Sequence, residues 1–97
     1  MSVRRRIVLA DDHPIVLAGL RSLIEKEEDL TVVGTASTGT EALKLLQELA
    51  PDMAIIDISM PSLTGVGLLN RIEQLGLQIP ILIYSLHEDR AHVSQAL

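Results

Sequence analysis

Short apolar runs recur along the chain, and stretches of mixed polarity separate them. The runs are too short for typical helices, and they are rich in the β-branched residues that favour strands. A run that is apolar at successive positions predicts a strand covered on both faces, as parallel strands are. The four predicted strands are Ile7–Ala10, Leu30–Ala36, Met53–Ile56 and Pro80–Tyr84.

The stretches between these runs carry apolar residues at helical spacing. Pro14 can occupy the first turn of a helix, where its missing N–H costs little. Thr38 with Glu41 three residues later has the pattern of a capping box, and Gly76 would end the third helix. A fourth helix is predicted from about Glu88 to the end of the chain. The residues predicted to face the core are Val16, Leu20, Leu23 and Ile24 in the first helix, Ala42, Leu45, Leu46 and Leu49 in the second, and Leu68, Leu69, Ile72 and Leu75 in the third.

Strands and helices therefore alternate in the order βαβαβαβα. Such alternation predicts a parallel sheet that is covered by helices on both faces. We expect an α/β fold with a doubly wound parallel sheet in the strand order 2-1-3-4. In sheets of this kind ligands bind beyond the carboxyl ends of the strands, so the residues that follow each strand are the first candidates for a site.

Acidic and hydroxyl side chains stand at three of these strand ends. Asp11 and Asp12 follow the first strand, Asp57 follows the third, and Ser85 follows the fourth. These strands are neighbours in the predicted order, so their ends should converge. Clustered carboxylates repel one another, and Mg²⁺ would offset that charge with the oxygen ligands it prefers. An Asp in such a site can act as a nucleophile and form an acyl phosphate. The competing interpretation is that the acids follow strands by chance, because loops favour Asp and Ser.

The composition narrows the classes of function. The chain has 97 residues, of which 47% are hydrophobic, and a net charge of −5. It is therefore expected to form one small domain. The negative net charge argues against binding to the phosphate backbone of a nucleic acid. Arg4–Arg6 are interpreted as solvated residues at the start of the first strand. The chain has one Tyr and no Phe or Trp, so it offers few aromatic side chains on which nucleic-acid bases could stack. It has no Cys, which excludes disulfides and zinc–thiolate sites. No apolar run reaches the roughly 18 residues of a membrane span, and we expect a cytoplasmic protein with no membrane partner.

The residues at the strand ends resemble the motifs of the receiver domain of response regulators. The matching segments are Asp11-Asp12, then Asp57-Ile58-Ser59-Met60-Pro61 with Gly65 after it, then Ser85. Three further segments resemble the NarL/FixJ-type subgroup, namely Asp11-Asp12-His13-Pro14, Val33-Gly34-Thr35-Ala36 and Gly39-Thr40-Glu41-Ala42-Leu43. The resemblance covers the whole chain and implies a flavodoxin-like receiver fold over residues 1–97.

The resemblance also implies a role for each of these residues. Asp57 would accept a phosphoryl group from a phosphohistidine of a sensor histidine kinase, so the chain would be a phosphoacceptor of a two-component system and not an enzyme. Asp12 and Asp57 would bind Mg²⁺ directly, Asp11 through water, and Ser59 with its backbone carbonyl. The Ser85 hydroxyl would swing toward the phosphoryl group and so alter the face built by the fourth helix.

The sequence departs from the family pattern after the fourth strand. The resemblance implies a fifth strand ending in a phosphoryl-binding Lys, a fifth helix and a DNA-binding output domain, whereas this sequence stops at Leu97. Lys26 and Lys44 are predicted on helices and cannot replace that Lys. We therefore expect an incomplete receiver, DNA contact only through a domain outside the chain, and a homodimer or other self-association through the open edge of the fourth strand.

Two other functions remain open at this point. A pseudo-receiver would bind partners without phosphorylation, which the implied loss of the Lys permits. An enzyme of the haloacid dehalogenase class would also form an aspartyl phosphate with Mg²⁺, but its nucleophile follows the first strand in an Asp-x-Asp pattern, whereas Asp11 and Asp12 are adjacent. His13 is interpreted as the residue before the first helix rather than as a metal ligand or an internal phosphodonor.

Overall fold

The part of the chain that the structure describes contains five strands and three helices. The computed structural model describes residues 4–57, 65–87 and 90–96. The strands are β1 (Arg5–Ala10), β2 (Leu30–Ala36), β3 (Met53–Asp57), β4 (Ile81–His87) and β5 (Arg90–Ala96), and the helices are α1 (Pro14–Glu25), α2 (Gly39–Leu49) and α3 (Gly65–Gln74). The first four strands and the three helices lie where the sequence predicts them.

The sheet has the order β2-β1-β3-β4-β5. Its first four strands run parallel, which confirms the predicted order 2-1-3-4. The register aligns Ala10 of β1 with Ile56 of β3, and Asp57 of β3 with Tyr84 of β4. The carboxyl ends of these three strands are therefore level with one another, as the candidate site requires.

A proline marks the start of α1, and a capping interaction fixes the start of α2. Pro14 is the first residue of α1, as predicted. Thr38 is the N-cap of α2, and its hydroxyl accepts a hydrogen bond from the Glu41 N–H at 3.1 Å, so the capping box is confirmed. The Glu41 carboxylate accepts hydrogen bonds from the Ser37 hydroxyl at 2.9 Å and the Ser37 N–H at 3.3 Å. These bonds, chiefly the one from the hydroxyl, lower the Glu41 pKa.

Alternate residues of the strands face two different cores. The larger core lies under α2 and α3 and includes Val8 of β1, Leu46 of α2 and Leu68 of α3. The smaller core lies under α1 and includes Ile7 and Leu9 of β1. The sheet is thus covered on both faces, and β1 and β3 are held firmly at its centre.

Leu23 of α1 was predicted to face the core, and this prediction is wrong. Its side chain is 62% exposed, and α1 packs on the sheet through the partly buried Leu17, Leu20 and Ile24 instead. Those three residues are spaced by three and four positions and share one face of the helix. Leu23 lies beside that face, a distinction that apolarity alone does not reveal. The prediction for Leu75 is also wrong, because Leu75 lies after the end of α3 and is 43% exposed.

The segment after β4 forms a strand and not the predicted fourth helix. Residues Arg90–Ala96 pair antiparallel with β4, from His87 opposite Arg90 to Ile81 opposite Ala96. The pairing satisfies N–H and C=O groups of β4 that would otherwise form an open edge. The fourth helix is therefore a wrong prediction, and the edge of β4 is not free.

Arg6 joins the start of β1 to the end of α2. Its guanidinium Nη1 donates to the carbonyl oxygens of Leu49 at 2.7 Å and Ala50 at 3.3 Å, and its backbone N–H donates to Asp52 at 2.7 Å. Ala50 has a φ of 44°, the left-handed conformation that commonly ends a helix. Arg6 is thus a structural residue and not only a solvated one.

Across the helices that the structure describes, none has the length and apolarity to cross a bilayer.

Candidate functional site at the carboxyl ends of the strands

Asp11 and Asp12 lie directly beyond the end of β1. The Asp11 N–H donates to the Ala36 carbonyl of β2 at 3.0 Å, which continues the β1–β2 pairing by one residue and fixes the Asp11 backbone. The Asp11 side chain is 1% exposed, whereas that of Asp12 is 34% exposed. One carboxylate is therefore inside the protein and its neighbour is open to solvent.

Asp57 is the last residue of β3 and is buried, with 2% of its side chain exposed. Because Ile56 is aligned with Ala10, Asp57 lies beside the residue that follows β1. Single ligand atoms of Asp11, Asp12, His13 and Asp57 all lie within 4.8 Å of one another. The predicted convergence of the three carboxylates is confirmed. We call these four side chains the acidic cup.

Both carboxylate oxygens of Asp11 accept hydrogen bonds. Oδ1 accepts from the backbone N–H of His13 at 2.7 Å and also contacts His13 Nδ1 at 2.7 Å. Oδ2 accepts a hydrogen bond from the Tyr84 hydroxyl of β4. A buried charged group is stable only when such partners are present. Asp11 is thus held at both oxygens.

His13 precedes α1, as predicted, and its ring also belongs to the acidic cup. Nδ1 lies 3.0 Å from Oδ1 of Asp12 and 3.9 Å from Oδ2 of Asp57. The hydrogen bond to Asp11 and then the charge of Asp12 raise the His13 pKa above its usual value. A protonated ring at this position offsets part of the carboxylate charge, and a hydrogen bond from Nδ1 requires a proton on that nitrogen.

Tyr84 is a residue of the site that sequence reasoning missed. It is buried near the end of β4, next to Ser85, and its register partner in β3 is Asp57. Burial, followed by the hydrogen bond to Asp11, raises the pKa of its hydroxyl, which therefore stays protonated and can donate a hydrogen bond near neutral pH. One signal was present in the sequence, since Tyr84 is the only aromatic residue of the chain and stands at the strand end where the candidates gather.

The donor set of the acidic cup fits a hard divalent cation. Carboxylate oxygens of Asp12 and Asp57 are the ligands that Mg²⁺ prefers, and the exposure of Asp12 leaves room for the waters that Mg²⁺ keeps. Asp11 has hydrogen-bond donors on both oxygens, which suits a contact through water better than direct ligation. The acidic cup thus contains a buried Asp at a strand end, Asp57, and a cluster of carboxylates of the kind that binds Mg²⁺.

Two predicted site residues are not tested by this geometry. Ser59 lies outside the described residues. Ser85 lies in β4 opposite His92 of β5, but its side chain is also outside what the structure describes. Their roles remain predictions.

Comparisons with known proteins agree on one family. The family described as "Response regulator receiver domain" matches residues 7–97. The transcriptional regulatory protein YhcZ of Bacillus subtilis is 38% identical over 92 residues, which cover 95% of this chain and 43% of that protein. The nitrate/nitrite response regulator NarL of Escherichia coli is 35% identical over 91 residues, covering 94% and 42% respectively. The chain thus spans less than half the length of these relatives.

Solved structures show the same likeness. The receiver domain of the putative response regulator NarL from Mycobacterium tuberculosis superposes with a TM-score of 0.84 at 30% identity, over 90% of this chain and 70% of that one. A LuxR-family two-component response regulator from Aurantimonas sp. SI85-9A1 gives a TM-score of 0.81 at 38% identity, over 88% and 61%. The likeness therefore extends across nearly all of the chain.

Proposed function

This chain belongs to the response regulator receiver domain family, and on that premise we propose that Asp57 accepts a phosphoryl group from a phosphohistidine of a sensor histidine kinase. Membership of a two-component family implies a sensor kinase as partner. Receiver domains are typically phosphoacceptors and not enzymes in their own right, so the alternative of the haloacid dehalogenase class is set aside.

One observation carries the assignment of Asp57. It is the carboxylate that ends the central strand β3, beside Asp11 and Asp12 from the neighbouring strand β1. A nucleophile on a rigid strand end keeps its position through the reaction. β3 is paired on both sides as far as Ile56, and Asp57 itself is paired with Tyr84 of β4. Asp12 is more exposed and lies on the segment that leads into α1, so it is better suited to hold a cation than to carry the acyl phosphate.

The proposed reaction is an in-line displacement at phosphorus. An oxygen of Asp57 forms a bond to the phosphorus atom while the phosphorus–nitrogen bond of the phosphohistidine breaks. The bonding electron pair goes to the leaving imidazole nitrogen, which then takes up a proton. The product on this chain is an aspartyl phosphate, a mixed anhydride that water can later hydrolyse.

Asp12 and Asp57 would hold Mg²⁺ in the acidic cup, with the Ser59 carbonyl as a further ligand and Asp11 acting through water. When bound, the ion supplies positive charge that offsets the three carboxylates and the incoming phosphoryl oxygens. The support for this proposal is that the acidic cup offers carboxylate oxygens, and that one ligand atom from each of its residues lies within 4.8 Å of the others.

The response to phosphorylation is proposed to begin at Ser85, because it follows Tyr84, the register partner of Asp57. A hydroxyl that turns toward a phosphoryl group on Asp57 would shift the end of β4, and with it the paired β5. We expect Ser85→Ala to take up phosphate and to show smaller changes in the amide signals of β4 and β5. Equal changes in the variant and the wild type would contradict the switch role.

Phosphorylation is tested with a small phosphodonor. The purified chain is incubated with acetyl phosphate and Mg²⁺, and its intact mass is measured. We expect the mass of one phosphoryl group in the wild type and in Asp52→Asn, a matched control at the amino end of β3, and none in Asp57→Asn. Unchanged phosphate uptake by Asp57→Asn would overturn the assignment.

One observation favours a second candidate, the pseudo-receiver that binds partners without phosphorylation. His13 Nδ1 already contacts Asp11 and Asp12, and in its protonated form it provides positive charge within the cup. A cup balanced in this way could persist without a cation. The same mass measurement decides between the two functions, because a pseudo-receiver gains no phosphoryl group at any concentration of Mg²⁺.

For the whole protein we propose control of transcription in the cytoplasm, through a DNA-binding output domain outside this chain. The support is that YhcZ, which is more than twice as long as this chain, carries the name of a transcriptional regulatory protein. A second copy of the chain is a further proposed partner, now through the outer edge of β5 rather than β4, because β5 is the last strand of the sheet. Light scattering over a dilution series tests this, and a monomer at every concentration would contradict it.

A further inference from the structure

The contact between Tyr84 and Asp11 joins the end of β4 to the acidic cup across the intervening strand β3. We propose that Tyr84 is a positioning residue of the cup, whose hydroxyl fixes the Asp11 carboxylate in the orientation that binds the divalent cation. This inference rests on the proposed function, because it assigns a role within the same cation site. It adds a residue that neither the motif nor the carboxylate cluster identifies.

The geometry supports this role at three points. The Tyr84 side chain is buried, which limits the access of water to its hydrogen bond. Its acceptor, Oδ2 of Asp11, belongs to a side chain that is itself 1% exposed. The two residues are 73 positions apart in the sequence, so the contact is a product of the fold and not of local chain geometry.

Tyr84 and His13 act on opposite oxygens of Asp11. His13 occupies Oδ1 and Tyr84 donates to Oδ2, so together they fix the plane of the carboxylate. Without the Tyr84 hydroxyl, Oδ2 would be a buried acceptor with no partner among the hydrogen bonds seen for it, and the carboxylate could rotate to find another donor. Partners of this kind behind a metal ligand typically contribute about 10–100-fold to metal affinity. We expect a loss at the lower end, about tenfold, because Asp11 itself acts through water.

The direct test compares Mg²⁺ affinity by calorimetry in the wild type, Tyr84→Phe and Ile72→Val. Phe keeps the ring and removes only the hydroxyl. Ile72 is a buried residue of α3 in the larger core, so Ile72→Val controls for a general loss of stability. We expect about tenfold weaker binding in Tyr84→Phe and unchanged binding in Ile72→Val. Equal affinity in Tyr84→Phe and the wild type, or tighter binding in the variant, would overturn the proposal.

A second measurement needs no change to Tyr84. As the only aromatic residue, Tyr84 is the sole source of the aromatic absorption and fluorescence of the chain. If its hydroxyl senses the orientation of Asp11, Mg²⁺ should alter the Tyr84 emission and near-ultraviolet circular dichroism with the same midpoint as in calorimetry. Asp12→Asn, which removes a proposed ligand without touching Tyr84, should shift that midpoint to higher Mg²⁺ concentration. A Tyr84 signal that stays constant while calorimetry shows saturation would overturn the proposal.

Failure of this inference is distinguishable from failure of the proposed function. If the wild type binds Mg²⁺ and takes up phosphate while Tyr84→Phe binds equally well, only the positioning role is lost. If the wild type binds no Mg²⁺ by either measurement, the cation site itself is wrong, and the role of Tyr84 is wrong with it.

Discussion

Asp57→Asn should make the metal-free domain more stable, although it removes the proposed phosphoacceptor. Asp11, Asp12 and Asp57 place three carboxylates in one small site, and two of them are almost fully buried. Their mutual repulsion opposes folding whenever no cation is bound. Asn keeps one oxygen acceptor and nearly the same shape, so the substitution removes chiefly one negative charge.

The separation of the groups sets the size of the effect. Two unit charges 4.8 Å apart repel by about 3.5 kcal/mol at an effective dielectric constant near 20. The positive charge that His13 provides when protonated and the partial exposure of Asp12 both reduce this figure. We expect a net gain of about 1–2 kcal/mol in the free energy of unfolding. For a domain of this size, each kcal/mol raises the Tm by about 4–8 °C.

Thermal unfolding followed by far-ultraviolet circular dichroism measures this effect, with and without saturating Mg²⁺. The matched control is Asp52→Asn, because Asp52 is an exposed Asp at the other end of the sheet, where it accepts a hydrogen bond from the Arg6 N–H. Without Mg²⁺ we expect a higher Tm for Asp57→Asn and an unchanged or lower Tm for the control. Mg²⁺ should stabilise the wild type and the control more than Asp57→Asn. A lower Tm for metal-free Asp57→Asn would show that repulsion in the cup is not the dominant force.

Two further predictions concern the cap of α2. Thr38→Ala removes the hydroxyl that accepts from the Glu41 N–H, and should lower the free energy of unfolding by about 1 kcal/mol; an unchanged Tm would contradict this role. Glu41 has a pKa lowered chiefly by the Ser37 hydroxyl, so its contribution should be present above its unfolded pKa and disappear as the pH falls through its lower folded value. Urea unfolding of the wild type and Glu41→Gln should therefore give curves that converge in acid, and a difference that grows in acid would refute the assignment.

The predictable part of the fold is the part that local rules decide. The apolar runs and the Thr38 capping box identify the first four strands and the start of α2, because burial on both faces and the satisfaction of helix N–H groups depend on residues close in sequence. The rule that ligands bind at the carboxyl ends of parallel strands then brings Asp11, Asp12 and Asp57 together without further information.

What escaped prediction depends on contacts that local sequence patterns do not reveal. β5 pairs with β4 because the backbone groups at the edge of β4 need hydrogen-bond partners. The sequence of residues 90–96 alone does not indicate this pairing. The contact of Tyr84 with Asp11 requires the side-chain direction at the end of β4, which apolar spacing does not give. The place of His13 in the cup likewise follows from the fold, because its sequence position indicates only that it precedes a helix.

Direct identification of the phosphorylated residue tests the central claim most closely. After incubation with acetyl phosphate and Mg²⁺, borohydride reduction converts an aspartyl phosphate to homoserine, and peptide mass spectrometry locates that homoserine in the chain. We predict homoserine at position 57 and at no other Asp. Homoserine at Asp11 or Asp12, phosphate on His13, or no modification at all would contradict the claim that Asp57 is the phosphoacceptor.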